Sequence, residues 1–214
     1  MTKTRKLRLW FAKRGVLRLI SHHDLMRCVE RMARRAEIPL ATSQGFTPRP
    51  KIVFALALGL GIEGHREIVD FELSEPKSPA EVLEALASQA PAGFEWLDGQ
   101  PLAPEAMAPR PVAAAYRFEV PAPRRDQARD AVAALLASSS WPLVRRRPDR
   151  GKELTLDLRS FLLDAELNAE GSLQARLRIT PEGSARPEEL LESLGLRDLL
   201  DRGGILARTH VELA

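Results

Sequence analysis

Four prolines, Pro101, Pro104, Pro109 and Pro111, fall inside the short stretch Gly99–Pro111, near the middle of a 214-residue chain. Proline fixes φ and removes a backbone donor, so no central strand or helix interior runs through such a stretch. Residues 99–112 therefore read as a linker between two units, residues 1–98 and residues 113–214. Each is about the size of a small domain.

The composition is 44% hydrophobic and 29% charged, enough apolar material for a core in each half. The longest apolar run, Ile52 to Ile62, is interrupted by glycines and falls short of the ~18 residues a membrane span needs. The N-terminus leads into an alternating strand rather than a signal-peptide apolar segment, so a cytoplasmic protein with no membrane partner is expected. The single cysteine, Cys28, excludes an internal disulfide, a Cys-rich zinc site and a cysteine-ligated iron–sulfur cluster. No cofactor is expected.

The net charge of +3 conceals an uneven distribution. Residues 1–52 carry 13 Lys/Arg against 3 Asp/Glu, while the remainder is acidic in balance. Codon bias toward arginine would spread the cations evenly. Concentration at one end is the electrostatic footprint of a polyanion-binding face.

Lys6–Ala12 alternates as a half-buried strand does, and Val16–Ile20 reads as its continuation after a turn at Gly15. Ser21 is placed as a helix N-cap with Asp24 three residues on, opening a helix to about Glu37. Leu25, Val29, Met32 and Ala36 form its apolar stripe; Arg27, Arg31, Arg34 and Arg35 populate its polar side. The segment Thr42–Lys51 reads as a proline-stiffened loop, Ile52–Leu58 as a buried strand, and Glu67–Leu73 as an alternating one. A helix from Ala80 to about Gln89 and a strand near Phe94–Leu97 complete a strand-helix-strand-strand-helix-strand order. A similar order restarts after the linker: Ala114–Val120, a helix over Arg124–Ser138, strand-like Leu143–Arg147 and Leu154–Leu158, a hairpin of Phe161–Asn168 and Leu173–Ile179, a helix over Pro187–Leu194, and Ala207–Leu213. The expected fold is α+β: two tandem ferredoxin-like α/β sandwiches with antiparallel sheets.

Two segments could carry chemistry. In Ser21-His22-His23-Asp24, histidines at a helix start could meet phosphate or serve as a general base for a ribose hydroxyl. They could equally make capping or core contacts. Adjacent helical histidines diverge by about 100°, which argues against a metal site. In Gln44–Lys51, Phe46 lies between a glycine and two cations, Arg49 and Lys51, as in readers of single-stranded RNA. Alternatively, Phe46 anchors the loop on the core. Gly59–Gly64 lacks the spacing and the following helix of a dinucleotide fingerprint and reads as a turn. Arg145–Arg147 with Arg150 and Lys152 forms a second basic run.

The strings Leu7–Arg27 and Ala41–Leu58, with Gly61, Glu63 and Asp70 following, closely resemble a bacterial domain of unknown function linked to radical S-adenosylmethionine (radical SAM) proteins. The family is fused to, or encoded beside, radical SAM proteins with a B12-binding-like region. The resemblance extends more loosely through Gly183–Glu188. The family writes Ser-His-Leu-Asp where this chain has Ser21-His22-His23-Asp24, which favours His22 and Asp24 over His23 for a shared role. The resemblance implies a radical SAM partner encoded elsewhere, because the three closely spaced cysteines of such an enzyme are not in this sequence. The family's association with ribonucleases and ribosomal genes implies RNA. A fainter similarity, in the tandem layout with an N-terminal histidine and a glycine-rich segment, is to CRISPR-repeat-processing endoribonucleases.

The leading expectation is a non-catalytic RNA-binding or docking module for a radical SAM partner. Lys6, Arg8, Lys13, Arg14, Arg18, His22, Arg27, Arg31, Arg49 and Lys51 would contact RNA, with Phe46 as a stacking surface. One alternative is a metal-independent endoribonuclease with His22 as base. Another is a protein-interaction subunit whose basic face meets an acidic partner.

Overall fold

The computed structural model describes residues 3–146 and 153–214, with the side chain of Arg146 left aside. The fold is α+β, with helices against antiparallel strands. Two compact units emerge: residues 1–111 with 213–214, and residues 112–212.

The first unit contains β1 (Thr4–Lys13), α1 (His22–Arg35), β2 (Ile52–Phe54), β3 (Glu63–Lys77), α2 (Pro79–Ala87) and β4 (Phe94–Leu102). Its strands lie in the order β4-β1-β3-β2, every pair antiparallel. Leu7 and Leu9 pair across from Phe71 and Val69 in β3, and both are fully buried. They share a core with Leu25, Val29, Met32 and Ala33 of α1 and Val82 and Leu86 of α2. Both helices thus cover the same strand face. The buried stripe of α1 ends at Ala33 rather than Ala36, which is half-buried.

The ends of α1 follow from its sequence. Ser21 Oγ accepts from the Asp24 amide at 3.1 Å and donates to the Asp24 carboxylate at 2.7 Å, so the cap is built as the sequence proposes. At the other end the Ile38 amide reaches Ala33 O at 2.9 Å and the Glu37 amide reaches Arg34 O at 3.2 Å. This is a Schellman closure, and it places Glu37 at φ 52, the left-handed position that glycine usually fills. The closure turns Ile38 inward, and it is buried.

Three expectations are corrected. Val16–Ile20 is not a strand: Gly15 adopts φ 59, and Gly15–Leu19 forms a 3-10 turn. The Gly15 amide donates to Glu63 at 2.8 Å, and Gly61 N donates to Arg18 O at 2.9 Å, which fixes that turn against the start of β3. The strand expected over Ile52–Leu58 is confined to Ile52–Phe54, and Val53 is exposed. The expected linker begins as strand, because β4 runs to Leu102 with Pro101 opposite Leu7. Within this unit β4 pairs with β1 alone, a place where a missing strand donor is tolerated.

The second unit contains β5 (Pro111–Glu119), α3 (Arg125–Ala137), β6 (Pro142–Arg146), β7 (Glu153–Asp157), α4 (Leu158–Phe161), β8 (Leu162–Leu167), β9 (Ser172–Thr180), β10 (Gly183–Ser184), α5 (Pro187–Ser193), α6 (Asp198–Asp201) and β11 (Leu206–Leu213). Its main strands follow the order β8-β9-β5-β11, with β10 a short addition to β9. β6 and β7 pair only with each other. Among the described residues no helix is long and apolar enough to cross a membrane.

Glu37 carries a side chain in a backbone region that costs an L-residue about 1–2 kcal/mol. Glu37→Gly is expected to raise stability by about 1 kcal/mol, read as a higher urea midpoint at unchanged slope; an unchanged or lower midpoint contradicts the assignment of that strain.

Candidate nucleic-acid interface

The cations of the first unit fall into two groups. The first is consumed by the fold. Arg8 points from β1 to the face opposite the helices, where β3 presents Asp70 directly across. Its guanidinium donates two hydrogen bonds of 2.8 Å to that carboxylate, and both side chains are largely buried. The hydrogen bond to Asp70 outweighs burial and holds Arg8 still more firmly in its charged form. Lys51 donates to Glu72 at 2.7 Å, and Lys6 donates to Ala106 O at 3.0 Å. Lys6, Lys51, Asp70 and Glu72 line a cavity of about 360 Å³ in which Arg8 has taken Asp70 and Lys51 has taken Glu72.

Lys13 is the sharpest departure from the expected phosphate contacts. Its relative exposure is 0%, and its ammonium lies 3.4 Å from Arg18 O and from Ile20 O. The β1–β3 register shifts between Phe11 and Lys13, and Phe11, Ala12 and Lys13 are buried in succession. Lys13 keeps the alternation of Leu7, Leu9 and Phe11, which places its side chain on the core face at the end of β1. It offers no surface to a phosphate.

At the start of α1, His22 is half-buried, its ring edge-to-face on Phe54 with centroids 5.3 Å apart. Phe54 in turn packs on Phe11, so His22 borders the aromatic core. His23 is exposed. Arg14 is exposed and 3.5 Å from Glu95, Arg18 donates to Gly15 O at 3.0 Å, and Arg27 lies 3.6 Å from Asp24. These surface pairs are weak and open to exchange. Cys28 is half-buried; burial raises its thiol pKa against the pull of Arg31 and Arg35, which disfavours the thiolate.

The second group is free of carboxylate partners. Arg31, Arg34, Arg35 and Arg49 are exposed and form no ion pair with any described residue. Arg31 and Arg34 border a groove of about 390 Å³ between the second half of α1 and the chain that leaves it, floored by Ile38, Pro39 and Leu40. Thr42 and Pro50 form the far wall, and they pair as an isolated bridge. Between them the loop is tied by the Ser43 amide to Arg49 O at 2.9 Å and the Arg49 amide to Ser43 Oγ at 3.0 Å. Phe46 sits on this loop with a relative exposure of 107%. The core-anchor alternative for Phe46 is thereby removed.

Of the residues expected to bind RNA, Arg31 lines this groove, and Phe46 and Arg49 lie on the loop whose ends, Thr42 and Pro50, form its far wall. Glu30 and Arg34, which line it too, were absent from that expectation. Their spacing of four on α1 puts them on one helix face and was the available signal. In the second unit, Arg145 makes a bidentate pair with Glu189 at 2.6 and 2.7 Å, so that part of the basic run is structural. Arg147, Arg150 and Lys152 lie outside the described residues. Among the described residues there is no group of three or more His, Cys, Asp or Glu that could hold a metal ion.

The profile of DUF2344, described as an uncharacterized protein conserved in bacteria, matches residues 6–187. The chain belongs to the DUF2344 family. The match spans β1, the groove and the loop of the first unit and runs to the start of α5. No curated protein matches the chain. Among solved structures, an unknown protein from Galdieria sulphuraria is similar at 14% identity and a TM-score of 0.30, over 98% of each chain.

Removing one member of a buried ion pair strands the other charge. Arg8→Met is expected to lower stability by about 3 kcal/mol in urea unfolding, and Arg8→Met/Asp70→Leu to recover most of that loss. Equal losses in the single and double variants would show that the stranded Asp70 charge is not the cause of the loss.

Proposed function

We propose that this DUF2344 protein is a non-catalytic module that binds single-stranded RNA along α1 and the Thr42–Pro50 loop, and presents it to a radical SAM partner. The observation that carries the reading is the coincidence, on one unit, of unpaired arginines and a fully exposed aromatic on a tied loop. A protein in water gains nothing by projecting a phenyl ring into solvent. A ring so placed beside cations suits a nucleobase stacked on Phe46 while phosphates meet Arg31, Arg35 and Arg49.

Both units are read as ferredoxin-like. The order β4-β1-β3-β2 is that of a split βαβ sandwich, and β11-β5-β9-β8 repeats it, with the β6–β7 hairpin and α4 inserted after α3. The radical SAM partner rests on the resemblance carried by Leu7–Arg27 and Ala41–Leu58.

Short single-stranded RNA titrated at several salt concentrations tests the binding. Affinity is expected to fall linearly on a log–log plot, with each phosphate contact contributing roughly 0.7 to the slope. Arg49→Ala should shallow the slope by about that amount, and Phe46→Ala should weaken binding by about 1–3 kcal/mol without changing it. The RNA should be recovered intact on a denaturing gel. Binding that ignores salt and both substitutions overturns the proposal, and cleavage abolished by His22→Ala replaces it with a nuclease.

A further inference from the structure

The groove beside α1 differs from the cavity on the opposite strand face in its unspent polar groups. In that cavity Asp70 and Glu72 are committed to Arg8 and Lys51. In the groove, the Glu30 carboxylate makes no hydrogen bond or ion pair with any described residue, although Arg34 stands four residues along the same helix. Glu followed by a cation at that spacing is a favourable helical pair. Here both side chains are left available to something else.

The rest of the groove limits what that can be. Its floor, Ile38, Pro39 and Leu40, is apolar and held in place by the Schellman closure of α1. Its volume of about 390 Å³ lies in the range of small-ligand sites, roughly 300–1,000 Å³. An occupant should therefore have a flat apolar face and a polar edge that donates hydrogen bonds to a carboxylate. Ionised carboxylate is acceptor-only, with two oxygens side by side. Among the nucleobases, guanine alone offers two adjacent donors, N1–H and N2–H, on its Watson–Crick edge. Adenine and cytosine each set one amino donor beside an acceptor nitrogen, and uracil sets one N–H between two carbonyls. The O6 and N7 acceptors of guanine then suit an arginine, the commonest partner for that edge. Arg34 and Arg31 stand at the groove for it.

We infer that the groove between α1 and the Thr42–Pro50 segment takes an unpaired guanine of the bound strand, read by the Glu30 carboxylate. This rests on the RNA-binding reading above and gives that site a base preference. Phe46, Arg35 and Arg49 supply affinity without selecting sequence; Glu30, with the groove arginine on the O6 and N7 edge, supplies the selection.

The test uses the full chain and short single-stranded RNAs in a uridine background, with one central position varied as guanosine, inosine or adenosine. Inosine keeps N1–H and O6 and lacks only the N2 amine. The guanosine strand is expected to bind roughly tenfold tighter than the other two. Glu30→Gln, which preserves shape and replaces one acceptor oxygen by a donor, should bring the three strands to within about twofold of one another, with the uridine background still bound. Salt-sensitive binding with no guanosine preference, or a preference that survives Glu30→Gln, overturns this inference and leaves RNA binding standing. Failure of every strand to bind at low salt overturns the reading beneath it as well. GMP alone, used as competitor, should displace the strand only far above the strand's own concentration. Equal potency would assign the groove to a free nucleotide instead.

Discussion

β1 is paired along both edges, to β3 and to β4, and the first unit is built outward from that strand. Its alternation sends Leu7, Leu9 and Phe11 toward the helices and Arg8 to the other face. Two-sided pairing leaves no freedom to slide, since a shift of one residue would exchange the core for the charged face. The charged face must then be neutralised where it stands. Asp70 lies across from Arg8, and Glu72, across from Lys6, is bonded to Lys51. Paired β1 and β3 thus absorb part of the basic excess of the first 52 residues. Among the described residues, Arg31, Arg34, Arg35 and Arg49 of α1 and its following loop are left without a carboxylate partner, as is Arg5 on β1.

Much of this was legible in the sequence. The period of α1, its Ser21 cap and the strand-helix-strand-strand-helix-strand order of the first half rest on local patterns, and local patterns persist in the fold. Val-Leu-Arg-Leu-Ile has strand composition, yet tertiary bonds to Glu63 and Gly61 hold it as a 3-10 turn. Lys13 reads as part of the turn at Gly15, yet β1 runs on through it and the strand's own alternation carries its side chain inward. Glu67 is buried too, because it shares the face of Val69 and Phe71 in β3 and lies across from Phe11.

The candidate site was legible in its residue types and not in its grouping. Nothing in the sequence separates Arg8, which is spent on Asp70, from Arg31, which is not. Charge counts the cations, and only the fold reveals which of them carboxylates have already claimed. For the same reason Glu30 drew no attention: an acid among arginines looks like one more surface pair until its partners are found to be absent.

The loop that carries Phe46 is closed at its base by the Thr42–Pro50 bridge, by the Ser43–Arg49 bonds and by Lys51 N to Ala41 O at 2.8 Å, with Pro48 and Pro50 restricting the chain between. These ties fix the two ends of the loop when the unit folds. In the proposed role, a strand that meets this loop finds the base of the platform already ordered. Encounter then becomes productive at the first correct orientation, and differences between good and poor strands are expressed in how long they stay rather than in how fast they arrive.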